Sequence, residues 1–378
     1  RFPGGEPLRP AASRAVGVLI GYLERGHAVL LRAMECPIPF QSQGVMVLDR
    51  QTRINLEIDL RSRDRHDLFD LLNRTKTAPG ARRLHAMLNR PLTDQSELAS
   101  RLDAVQELVD SSALRSILAK GLTGMLDLER LATRVATGAI RARELMSLAE
   151  TLTAAGQLSD QIGGHVRSSL LIQAVGETEP LPEVCVRITS ALDAESSRLL
   201  QSGIDSRLDA LYEAVDADRA IIASHEKIER ERTGIRSLEV GYNKVFGYYI
   251  EVSRANRLPL PDDFIRKQTL TNAERYVTPA LKEAESRILS AEERVADLEA
   301  ELYGALIDDL TDYVASMRAT AHALATLDVL TALAAVAVEQ RFVRPELVDG
   351  SELDIMEGRH PIVERQLPAG AFVPNDTC

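Results

Sequence analysis

Seven side chains able to hold a phosphate oxygen fall within ten residues: Arg266, Lys267, Gln268, Thr269, Thr271, Asn272 and Arg275. Cations, hydroxyls and amides are the usual donors to a nucleic-acid backbone. Few aromatic residues are interleaved with them, which argues against stacking on single-stranded bases. Composition alone favours an ordinary solvated loop instead, with Asp262 and Asp263 close by.

No other constellation competes. The chain contains no GxxxxGK[ST] phosphate loop, no GxSxG elbow and no HExxH pair, and its seven histidines stand alone. Its carboxylates are dense on helical stretches, where they read as a solvated face. No set of side chains meets the requirements of an active site, so catalysis by this chain is not expected. The three cysteines, Cys36, Cys185 and Cys378, are odd in number and far apart, which points to a reducing cytoplasm rather than a disulfide framework.

The balance of 45 Lys+Arg against 56 Asp+Glu, a net charge of −11 over 378 residues, excludes a strongly basic coat. Any nucleic-acid contact is then local. A hydrophobic content of 45% excludes global disorder, while 4% aromatics and no Trp favour helices over a sandwich or barrel. No apolar run is expected to span a bilayer, and no signal peptide is read. The unnatural start Arg1-Phe2-Pro3 and the stop after Asn375-Asp376-Thr377-Cys378 suggest an excised piece.

What must position the polar segment is legible on both sides of it. Residues 1–10, with three prolines and Gly4-Gly5, read as a linker. Helices are expected over 11–24, 67–75, 81–89 (after a turn at Pro79-Gly80), 114–122, 126–137 and 143–158, with another from Leu98 to Val109. Ile204, Leu208, Leu211, Val215 and Ile222 recur at helical spacing up to Thr233-Gly234. Alternating, aromatic and β-branched residues over 238–242 and 246–252 predict a strand pair turning at Asn243-Lys244. Thr278-Pro279 opens a long heptad-patterned helix, with a four-residue shift at Leu306, Leu310 and Val314, continuing to about Gln340. One helix runs out, a strand-bearing tip turns the chain, and a longer helix runs back. After Arg341, segments at 343–345, 353–355 and 361–363 suggest short strands of a further domain.

The strings SLEVGYNKVFGYYIEVS (237–253), FIRKQTLTNAERYVTPALKE (264–283), FVRPELVDG (342–350), GRHPIVE (358–364) and FVPND (372–376) resemble the MutS family of DNA mismatch-repair proteins. VMVLDRQTRINLEI (45–58), KTAPGARRLHAMLNRPL (76–92) and RLDAVQEL (101–108) match upstream, so the resemblance covers essentially the whole chain in order. It implies a mainly α fold: a multihelical core, long antiparallel lever helices carrying a small strand-containing clamp, and the truncated β-rich start of an ABC-type ATPase domain.

The implied organisation is a connector end at 1–10, core and lever at 11–185, the clamp with its flanking helices at 186–310, the returning lever helix at 311–340, and ATPase strands at 341–378. The family's clamp contacts duplex backbone without reading sequence, and on it Arg266, Lys267, Thr269, Thr271, Asn272, Arg275 and Lys244 become the expected DNA contacts. Arg275 and Asn272 serve equally well as anchors of the clamp's own fold. Phe372, Val373 and Asn375 are the implied adenine-side contacts, or else a core cap and a turn.

No cofactor is expected in this chain alone; ATP and Mg, a homodimer and a MutL-type partner are implied for the whole protein, with no membrane. Asp49, Thr52, Asn55 and Glu57 form a family signature read here as structural hydrogen bonding. Arg359, His360 and Pro361 are read as shaping packing. The competing reading is a helical scaffold for dimerisation or partner docking with no DNA contact of its own.

Overall fold

The computed structural model describes residues 10–26, 28–34, 44–56, 58, 67–193, 198–243, 245, 247–368 and 370–378. Most of the 1–10 linker, Cys36, Glu57 and Lys244 lie outside the described residues. In chain order the helices are α1 (Pro10–Gly26), α2 (Ala28–Ala33), α3 (Arg50–Asn55), α4 (Leu68–Leu72), α5 (Ala78–Asn89), α6 (Gln95–Asp110), α7 (Ser112–Leu122), α8 (Leu128–Ala136), α9 (Ala142–Gly163), α10 (Ser169–Gly176), α11 (Pro182–Ala191) and α12 (Ser206–Thr233). Strands β1 (Glu239–Asn243), β2 (Gly247–Ser253), β3 (Ile265–Thr269) and β4 (Ala273–Val277) follow. The chain then forms α13 (Pro279–Thr311), α14 (Val314–Gln340), β5 (Ile355–Gly358), α15 (Pro361–Gln366) and β6 (Asn375–Thr377). The fold is mainly α. Its contacts divide it into two units, Arg1–Thr189 with Ile307–Cys378, and Ser190–Leu306.

The first unit is organised around α14, which packs against α4, α5, α6, α7, α8 and α10. Its Ala- and Leu-rich sequence buries residues around the whole circumference, as a central helix must. That helix corrects the expectation about apolar runs: by length and composition it would pass for a membrane span, yet 67% of the relevant window is buried inside the protein.

One buried carboxylate sets the geometry of the core. Asp328 of α14, 1% exposed, accepts the Lys76 amide at 2.8 Å, the Thr77 amide at 2.8 Å and the Thr77 hydroxyl at 2.6 Å. Thr77 in turn caps α5 by accepting from the Gly80 amide at 3.0 Å. Burial pushes the Asp328 carboxyl above its usual 3.8, against the pull of these donors. A side chain at position 80 would meet the carboxylate at 2.2 Å, so only glycine fits.

This cradle corrects the reading of Pro79-Gly80 as a turn: the pair lies in the first helical turn, where proline's missing N–H has no partner to lose. The expected unbroken helix after Thr278 is also interrupted, at Asp312-Tyr313 where the heptad shifts. Pro361–Val363, expected as a strand, opens helix α15, because His360 Nδ1 caps the Val363 amide and Pro361 suits the first turn. Residues 343–345 form no regular element, and 353–355 contributes only Ile355, to β5.

Asp49 caps α3 through the Thr52 amide at 2.7 Å, the structural role read from its motif. Arg359 donates to the Gln340 and Arg341 carbonyls and pairs with Glu364, so this residue too shapes packing.

Candidate nucleic-acid interface

The second unit sets a four-stranded antiparallel sheet, in the order β1-β2-β4-β3, on the ends of α12 and α13. Period-two alternation turns Ile250, Val252 and Tyr276 inward onto Ile222, Leu281, Ala284 and Ile288. Gly234, at φ 69°, ends α12 in the left-handed conformation that only glycine adopts freely. Thr278 caps α13 through the Leu281 amide, and its hydroxyl stands 3.4 Å from the buried His225 ring.

Helix carboxylates fasten the sheet. Glu226 accepts from the Val240 amide at 3.0 Å, and Glu285 from the Tyr248 amide at 3.1 Å. Gly247 lies against Glu285 at φ +76°, where an added Cβ would overlap the carboxylate at 1.6 Å. Between the arms, Arg219–Glu292 (2.6 Å) and Arg287–Asp218 (2.9 Å) join α12 to α13, and the Tyr212 hydroxyl bonds Glu299.

The polar segment is a β-hairpin rather than a solvated loop. Glu251 and Gln268 sit opposite Arg275 on the two neighbouring strands. The guanidinium donates to Glu251 at 2.8 Å and to Gln268 at 3.0 Å, and stacks 4.2 Å from the Tyr249 ring centroid. Arg275 therefore anchors the outer face of the sheet, one of the two roles its position allowed. Its pKa is raised above the ordinary guanidinium value, chiefly by the hydrogen bond to Glu251.

Edge strand β3 carries the opposite arrangement. The register jumps from Arg266–Tyr276 to Gln268–Arg275, so Lys267 is the extra residue of a β-bulge. Such a bulge releases its residue from the ladder and re-aims the side chain. Lys267 is exposed, and its side chain has no ion pair or hydrogen bond among the described residues.

Arg266, also exposed, reaches Glu274 at 3.5 Å. The Tyr276 hydroxyl's hydrogen bond, aided by the charges of Arg266 and Arg254, holds the Glu274 carboxyl below its usual range. Burial and that bond push the Tyr276 phenol up to about 12. Thr269, Thr271 and Asn272 are exposed around a tight turn closed by the Leu270 amide on the Ala273 carbonyl at 2.9 Å.

Arg254 was missed by sequence reasoning. Its amide meets the Asn272 carbonyl at 3.1 Å and its guanidinium the Thr271 carbonyl at 3.4 Å, placing a third cation beside the turn. The signal was the Arg254-Ala255-Asn256-Arg257 string directly after the second strand.

The nucleotide candidates stand elsewhere, in the first unit. Asn375 opens β6, which pairs with β5, and its amide reaches the Val373 carbonyl at 3.5 Å. Val373 is 72% exposed and Phe372 is partly buried. Among the described residues no group of three His, Cys, Asp or Glu side chains is placed to hold a metal.

Comparison with known proteins gives these features a context. The profile of MutS domain III matches residues 51–334. The DNA mismatch repair protein MutS of Trichodesmium erythraeum is 40% identical over 376 residues, covering 97% of this chain and 42% of its own length. That of Dehalococcoides mccartyi is 40% identical with 44% of its length covered, and that of Synechococcus elongatus 41% with 42% covered. This chain thus spans less than half the length of the curated relatives it matches.

Proposed function

The chain belongs to the MutS family of DNA mismatch repair proteins, and from that premise we propose that its second unit is a clamp that grips duplex DNA by the phosphate backbone. The supporting observation is the β3 bulge, which presents Lys267 unpaired and exposed beside Arg266, Arg254, Thr269 and Thr271. Phosphate contacts of this kind fix position on DNA without specifying sequence. Asn272 contributes from the turn and Arg275 through the sheet it holds together, and Lys244 is counted among the DNA contacts.

In this reading residues 186–310 are the clamp with its arms, 11–185 the core and lever, 311–340 the returning lever helix and 341–378 the opening of an ATPase domain. The parent protein is then a homodimeric, DNA-dependent ATPase of the bacterial cytoplasm, nucleoid-associated when on DNA. It uses ATP and Mg and works with a MutL-type partner. Phe372, Val373 and Asn375 lie on the adenine side of its nucleotide site. The chain described here contributes the grip and its coupling to that domain, and no chemistry of its own.

A photo-crosslinker attached at Lys267→Cys tests the reading. It is expected to capture duplex DNA of any sequence, whereas the same label at Val186→Cys, exposed in the first unit, captures none. Equal capture at both positions, or none at position 267, contradicts it.

A further inference from the structure

The first unit holds a cavity of about 400 Å³ between α5, α6, α10 and α14, a size in the range of small-ligand sites. Two arginines line it, Arg83 from α5 and Arg101 from α6. Neither side chain has an ion pair or hydrogen bond among the described residues, and Arg83 Nε is shielded from solvent without a partner. Burial lowers the pKa of both, and the charge of Arg83 lowers that of Arg101 further; the charges of Glu177 on Arg83 and of Glu97 on Arg101 offset this only in part.

The remaining lining makes no hydrogen bond or ion pair to them. The Ser100 and Thr326 hydroxyls donate to carbonyls of their own helices, and Gln173 donates to Glu177. The lining carboxylate, Glu97, is itself exposed, and it does not pair with Arg101. A part-buried guanidinium with a shielded, open Nε is unfavourable on its own, and its planar fork matches a phosphate.

We propose that this cavity is a binding site for a small phosphate-bearing molecule, gripped by the Arg83 and Arg101 guanidinium groups. It is distinct from the clamp tip, which lies in the other unit, and does not depend on the DNA-binding reading.

Calorimetric titration of the 378-residue chain with inorganic phosphate tests it. Saturable binding is expected, weakened at least tenfold by Arg83→Gln and by Arg101→Gln. It should stay within twofold for Arg82→Gln, whose partners Asp127 and Glu129 lie outside this cavity. Acetate, the carboxylate probe, is expected to bind at least tenfold more weakly than phosphate.

A second measurement separates binding from a structural role. In phosphate-free buffer neither Gln variant should unfold at a lower temperature than the unaltered chain, because each removes a part-buried charge that makes no ion pair or hydrogen bond and is offset only by the more distant Glu177 or Glu97. Absence of saturable phosphate binding, binding unchanged in both variants, acetate binding as tightly as phosphate, or a lowered unfolding temperature overturns the proposal.

Discussion

Replacing Asp328 with alanine removes the acceptor on which the start of α5 is built. Two amides, the part-buried one of Lys76 and the buried one of Thr77, lose their partner, and the Thr77 hydroxyl loses one as well. Each stranded donor costs about 1–3 kcal/mol, or roughly 2–6 kcal/mol for the two amides. Removing the carboxylate also relieves the burial that raises its pKa, so a net loss of about 2–4 kcal/mol is expected.

Urea unfolding followed by far-UV circular dichroism reads this as a lower midpoint at unchanged slope. The pH dependence has a definite sign. The folded carboxyl titrates above 3.8, so the native state holds the proton over a window where the unfolded chain has released it. The contribution of Asp328 is therefore complete below that value and declines as pH rises through the folded pKa. The gap between the unaltered chain and Asp328→Ala should be wider near pH 4.5 than near pH 7.5. A loss under about 1 kcal/mol, or a gap that widens with pH, refutes the argument.

Other perturbations follow from the same geometry. Gly247→Ala forces a left-handed residue, costing about 1–2 kcal/mol, into the Glu285 carboxylate, and adding Glu285→Ala should recover part of the lost stability in a thermal melt. Arg275→Ala leaves Glu251 unpaired on the sheet and should lower the denaturation midpoint of the second unit, while Lys267→Ala leaves it nearly unchanged; chemical denaturation distinguishes them. Asp49→Ala removes the α3 cap and should loosen the start of that helix, visible as faster amide exchange at Thr52.

Local signals in the sequence were sufficient wherever the deciding contacts are local. The strand pair β1–β2, the Thr278 and Asp49 caps and the glycine stop at Gly234 depend on neighbours within a few residues, and each could be read from residue type and spacing. Pro79-Gly80 could not. What makes it helical is a carboxylate 251 positions beyond Thr77, and no window along the chain contains both. The polar segment was legible as chemistry but not as a hairpin, since β3 is an edge strand of exposed cations whose alternation is broken by the bulge at Lys267. Arg254 went unnoticed because its relation to the turn at Thr271 exists only once β2 and β4 are paired.

The central claim is that the β3–β4 tip holds duplex backbone, and the salt dependence of binding tests it most directly. With two to four phosphate contacts, the slope of log K against log salt should be about −2 to −4, alike for matched and mismatched duplexes. Arg266→Glu with Lys267→Glu should flatten that slope by about two units. A slope near zero, or one the double variant leaves unchanged, contradicts the account.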